Sequence, residues 1–204
     1  MPIEVEKKYR LTPERVEPLR RRLREVGAEG EGVAEFEENV IYTGPGLEPG
    51  RRVLRLRRKA GRALFTFKER DPGQSAVKRQ REEETEVADA DALASILEAL
   101  GYRPALVYEK RRETWRLAGT EVVIDELPFG LFVEIEGEEA GILEAERLIG
   151  LEGDEGVHEP YPTLTLRHGV EADGVVEARF QGSDTVRSPP AGPPAPDGSR
   201  SEKS

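Results

Sequence analysis

Glu4, Glu6 and Lys8 alternate with Ile3, Val5 and Lys7, an acid-x-acid-x-base series at strand spacing. Successive strand residues point to opposite faces, so these three side chains share one surface. Neighbouring carboxylates repel each other, and a lysine at the next same-face position relieves that only in part. In water such a face costs little. Inside a cavity it needs a cation and becomes a metal site beside a phosphate-binding base. The other strands decide which case applies.

The alternation of charge recurs along the chain. Arg55 and Arg57 oppose Leu54 and Leu56, and Thr66 and Lys68 oppose Phe65 and Phe67. Lys110 and Arg112 repeat the base-x-base spacing, and Glu82, Glu84 and Glu86 form an acidic run that hides its apolar face. Phe132, Glu134 and Glu136 oppose Leu131, Val133 and Ile135, an acid pair like that at the N-terminus. An antiparallel sheet with one solvated face accounts for each strand singly. As a set, acid strands and base strands meet only if the sheet closes. Periodicity does not separate an open wet sheet from a closed one with a charged interior.

The elements that must position these residues follow from local signals. Strands are expected over 2–10, 38–43, 51–59, 62–70, 78–87, 105–117, 120–127 and 131–136, with loops at Gly44-Pro45-Gly46 and Asp71-Pro72-Gly73. Thr12-Pro13 opens a helix whose stripe is Val16, Leu19, Leu23 and Val26. Asp89 or Asp91 opens a second, with Leu93, Ile96, Leu97 and Leu100 on one face. Gly137 precedes a third, with Ile142, Ala145, Leu148 and Ile149 facing inward. This is an α+β pattern rich in antiparallel strands. One domain is expected over 1–170, followed by a disordered Pro/Gly/Ser-rich tail over 171–204.

Composition narrows the function classes. The chain has 204 residues and no cysteine, which excludes a disulfide framework and suits a reducing cytoplasm. Neither a secretory signal nor an apolar run of the ~20 residues that span a bilayer is visible, so a cytoplasmic protein is expected. Its 41 acids outnumber 31 bases for a net charge of −10, which disfavours nucleic acid and anionic membrane as partners. Any polyanionic ligand then needs bases concentrated locally, or recruited cations.

Taken in order, the charged strands resemble the CYTH family, the triphosphate tunnel metalloenzymes. Glu4-Val5-Glu6-Lys7-Lys8 resembles its opening E-x-E-x-K, Arg55-Leu56-Arg57 its R-x-R and Thr66-Phe67-Lys68 its T-x-K. Arg81-Glu82-Glu83-Glu84-Thr85-Glu86 resembles the acidic strand, and Lys110-Arg111-Arg112 the K-x-R. Val123-Ile124-Asp125 and Gly130-Leu131-Phe132-Val133-Glu134-Ile135-Glu136 complete the series. The resemblance covers about residues 2–150 and implies a closed antiparallel β-barrel, a triphosphate tunnel, with flanking helices. It implies that Lys8, Arg55, Arg57, Lys68, Lys110 and Arg112 bind a triphosphate. Glu4, Glu6, Glu82, Glu84, Asp125, Glu134 and Glu136 then hold Mg2+ or Mn2+, with Glu4, Glu6 and Lys8 closest to catalysis. A homodimer is compatible with the resemblance.

Within the resemblance, the expected activity is metal-dependent hydrolysis of inorganic triphosphate, thiamine triphosphate or a nucleoside triphosphate. The alternative is a class IV adenylyl cyclase, in which the ribose 3′-OH replaces water as nucleophile. A non-catalytic polyphosphate-binding module is the reading from another class, and it gains nothing from buried acid pairs.

Overall fold

The computed structural model describes residues 5–30, 32–70 and 80–182. Glu4, the loop at Asp71-Pro72-Gly73 and the chain from residue 183 lie outside the described residues.

The elements follow the expected order. β1 (Glu6–Leu11) leads through Thr12, at the N-cap, into α1 (Pro13–Glu25). β2 (Glu35–Thr43), β3 (Arg52–Lys59), β4 (Arg62–Arg70) and β5 (Gln80–Val87) follow. Asp89 caps α2 (Ala90–Ala99), its carboxylate accepting from the amides of Asp91 and Ala92 at 3.1 and 2.9 Å. β6 (Arg103–Leu117), β7 (Thr120–Leu127) and β8 (Gly130–Glu136) form the meander before α3 (Glu139–Ile149), which Gly150 ends in the left-handed region at φ 74°. α4 (Tyr161–His168), β9 (Val170–Ala172) and β10 (Val175–Ala178) complete the fold.

The strand order is β1-β8-β7-β6-β2-β3-β4-β5, antiparallel throughout, with β10 added parallel to β6. The two ends, β1 and β5, are not hydrogen-bonded to each other among the described residues. The closed barrel expected from the sequence is therefore not confirmed: among the described residues hydrogen bonds do not close the antiparallel sheet. It still curls, because residues of both end strands line one cavity.

The apolar residues sit mainly outside the curl. α1 and α3 cover the β1-β8-β7 side, packing Leu19, Leu23 and Ile142 with Tyr9, Leu11, Trp115, Val122 and Val133. α2 covers β2 and β3, where Leu97 packs with Val40, Leu56 and Val107. Leu97 is its buried residue, with Ala90, Leu93 and Ala94 partly buried on the same stripe, whereas Ile96 and Leu100, expected on one face with Leu93 and Leu97, are exposed. The narrow face of a short helix explains this: positions at i, i+3, i+4 and i+7 suffice to cover the sheet. With helices outside, the inward faces of the strands are left to charged side chains.

The described structure also runs past the expected domain end. Residues 170–178 form a hairpin through Asp173 and Gly174, both at positive φ (53° and 77°), the geometry of a two-residue Asp-Gly turn. Arg179 then bonds Glu38 and Glu109 at 2.8 and 3.1 Å, and the Phe180 amide donates to Glu109 at 2.8 Å. The buried Glu109 thus holds the segment after β10 against the sheet.

Candidate functional site

Strand alternation sends one set of side chains from each strand into the curl. A cavity of about 310 Å³ is lined there by Glu6, Lys8, Arg55, Arg57, Lys68, Glu82, Glu84, Lys110, Arg112, Glu134 and Glu136, all expected from the sequence. Arg51, Tyr108, Glu121 and Tyr161 join them. Glu4 lies outside the described residues. Asp125, expected as a metal ligand, is fully buried and does not line the cavity.

The pairing register sorts charge across the walls. On one side Glu6 lies opposite Glu136, which lies opposite Glu121, a row of carboxylates across β1, β8 and β7. In the next row Lys8 faces Glu134, and their side chains meet at 3.1 Å. At the other end Lys68 faces Glu82 at 2.6 Å, and Thr66 donates to Glu84 at 2.8 Å while accepting from Arg55 at 3.3 Å. The central strands β3 and β6 carry the arginines and Lys110. Carboxylates flank and cations fill the middle.

Behind this wall two buried carboxylates serve as counter-ions. Asp125 accepts from Arg112 and from the Tyr161 hydroxyl at 2.9 Å, and its nearer oxygen lies 3.6 Å from Lys110. Burial opposes its ionisation, but Lys110 and Arg112 hold it well below the usual carboxylate range. Glu37 on β2 lies 3.3 Å from Lys110 and 3.8 Å from Arg57, and those cations lower it against the same burial cost. Burial, reinforced by the adjacent Arg112, pushes the Lys110 ammonium down to about 8. For Arg112 burial is outweighed by Asp125, so its guanidinium is raised. Burial and Asp125 together raise the Tyr161 hydroxyl.

Tyr161, at the start of α4, also presents its ring 4.2 Å from the Lys8 ammonium. It connects the last helix to the first strand. Sequence reasoning placed none of Glu37, Asn39, Glu121 or Tyr161 at the site. Glu37 and Asn39 precede or begin the stretch read as a strand from residue 38, whereas β2 starts at Glu35. Glu121 does stand two residues before Val123 on the same face as Asp125, a signal that was available.

An oxygen-only donor set suits a hard divalent ion such as Mg2+ or Mn2+. Among the described residues no three acids stand together as a ready ligand group. No helix among the described residues is long and apolar enough to cross a membrane.

Among curated proteins, none matches this sequence. Solved structures do. A protein of Pyrococcus horikoshii OT3 is 26% identical with a TM-score of 0.67, covering 79% of this chain and 99% of its own. A candidate adenylate cyclase of Vibrio parahaemolyticus is 26% identical with a TM-score of 0.62, covering 79% and 97%. The candidate adenylyl cyclase of Hippeastrum, in which triphosphatase activity dominates, shares the fold at 17% identity with a TM-score of 0.60, covering 86% and 100%. A family model for the CYTH domain matches residues 2–149, the span that carries nearly every cavity residue. On that match and the order of its charged strands, the chain belongs to the CYTH domain family.

Proposed function

We propose that this protein hydrolyses a triphosphate-bearing molecule with the help of a divalent metal ion. The observation that carries the reading is one cavity lined by Lys8, Arg51, Arg55, Arg57, Lys68, Lys110 and Arg112, flanked on both sides by carboxylates. A triphosphate carries about four negative charges, and unit charges ~4 Å apart interact by about 4 kcal/mol at an effective dielectric near 20. In a protein of net charge −10, so many cations around one small volume point to a polyanion.

The arginines suit bidentate contact with phosphate oxygens, and the lysines act as mobile point charges. Lys8 is held by Glu134 and the Tyr161 ring beside the acid row, where it can follow a phosphoryl oxygen as charge develops. Glu6, Glu134 and Glu136, with Glu121, would hold the ion on one wall, and Glu82 and Glu84 face it from the other. When bound, a divalent ion neutralises phosphate charge and acidifies a coordinated water. Glu6 or Glu4, where it does not hold the ion, would accept the proton of the attacking water. Asp125 belongs behind the wall, where it keeps Arg112 and Tyr161 in place.

The test incubates purified protein with Mg2+ or Mn2+ and, separately, inorganic triphosphate, thiamine triphosphate and ATP. Released phosphate and cyclic AMP are both measured. Phosphate is the expected product. Cyclic AMP as the main product from ATP would favour the cyclase reading, which the Vibrio relative also represents. Tight binding without turnover would reduce the site to a polyphosphate-binding module.

A further inference from the structure

Asn39 sits on the inward face of β2 in register with Arg57 on β3 and Tyr108 on β6. Both of those neighbours line the cavity, whereas Asn39 is fully buried between them. Neither its carboxamide oxygen nor its nitrogen has a hydrogen-bond partner among the described residues. The Nε of Arg57, also buried, has none either. An acceptor and a donor are thus left open on directly paired residues, whose Cβ atoms are about 5 Å apart in such a pair.

A buried amide left unpaired weakens a fold, and an apolar group of the same shape serves a core at least as well. The position is therefore poorly explained by packing. Glu37, two residues earlier on the same face, already supplies the negative charge that Arg57 needs, at 3.8 Å from Nε. What Glu37 does not supply at that distance is a hydrogen bond that fixes the plane of the guanidinium. That plane decides whether two parallel N–H groups can meet a phosphate.

We propose that Asn39 is a positioning residue for substrate: its open carboxamide oxygen and the open Arg57 Nε are joined through one bridging water, which sets the guanidinium plane for bidentate contact with a phosphoryl group. The proposal rests on the triphosphate reading above. It adds a neutral residue outside the charged motifs, one that trades stability for orientation of a cation it never replaces.

The experiment compares wild type with Asn39→Leu, nearly the same size without polar atoms, and Asn39→Asp, which keeps an acceptor. Three quantities are measured: Kd for inorganic triphosphate with Mg2+ by calorimetry, KM and kcat for its hydrolysis, and Tm. Asn39→Leu is expected to stay folded with Tm within a few degrees of wild type, the apolar gain offsetting the lost bridge, with Kd and KM raised about tenfold and kcat within about threefold. Asn39→Asp is expected to restore Kd to within about threefold of wild type. Asn39→Ala provides the same comparison if the leucine does not fit. Wild-type affinity in the leucine or alanine variant overturns the proposal, and so does failure of Asn39→Asp to restore it. Absence of triphosphate binding by wild type overturns the functional reading itself, so the two failures are distinct.

Discussion

Arg112 meets Asp125 through two parallel contacts, Nε to Oδ1 at 2.7 Å and Nη2 to Oδ2 at 2.5 Å, and the same Nη2 reaches Glu134 at 2.6 Å. One guanidinium therefore joins a fully buried carboxylate to one at the cavity surface. Replacing Asp125 by Asn removes the charge that Arg112 and Lys110 share. Breaking a buried pair in this way is expected to cost about 3–5 kcal/mol. Urea unfolding of Asp125→Asn against wild type measures it, and a loss under about 1 kcal/mol would mean that Glu37 and Glu134 suffice as counter-ions.

Lys110 gives stability a pH signature. Its ammonium is lowered to about 8 in the fold, mainly by burial, against 10.5 for the ordinary group. Between those values the unfolded chain binds a proton that the folded chain does not, so stability rises with pH across that window. Below about 8 both states hold the proton and the burial penalty is constant. The Tm of wild type minus that of Lys110→Met should therefore increase from pH 8 to pH 10. A flat difference would show that the buried ammonium keeps its ordinary affinity for protons.

Glu6 and Glu136 face each other across β1 and β8 as like charges, an arrangement that favours the fold little. Glu6→Gln and Glu136→Gln should each lower metal-dependent turnover about a hundredfold while leaving Tm within a few degrees. Phosphate release with titrated Mg2+ or Mn2+ checks this. Activity restored by excess metal would mark a ligand, whereas unrestored loss at saturating metal would assign the residue to proton transfer.

Arg179 tests the C-terminal edge. It is the cation against the buried Glu109, and it also engages Glu38 and Glu177. Arg179→Ala should destabilise the fold by about 2–3 kcal/mol by removing charge-assisted bonds to Glu38, Glu109 and Glu177. Thermal or urea unfolding reads the change, and an unaltered midpoint would mean that Arg179 contributes nothing to holding the C-terminal edge.

The strands that carry charge on one face and apolar side chains on the other were legible. Arg55 and Arg57 against Leu54 and Leu56, or Glu134 and Glu136 against Val133 and Ile135, leave one register for a half-buried strand. The acidic run was not self-evident, and pairing with Thr66 and Lys68 is what turns Glu84 and Glu82 inward. β2 hid its contribution because Glu37 and Glu38 put acid on both faces, one for Lys110 and the other for Arg58 and Arg179. Tyr161 escaped because a helix brings it to the cavity through tertiary packing, which no strand period encodes. The hairpin at 170–178 did carry an Asp-Gly signal, outweighed by the polar composition that follows it.

The pairing of β1 with β8 also has a consequence for how the molecule is made. The first strand of the chain finds its ladder partner in the eighth, so Glu6 cannot meet Glu136 until most of the domain has been synthesised. Until then the opening strand has no ladder to join, while the hairpins of β3, β4 and β5 can form from local contacts. Non-local pairing of this kind is slow. During refolding the β3-β4-β5 wall should gain protection from hydrogen exchange before β1, so the carboxylate row is the last part of the cavity to appear.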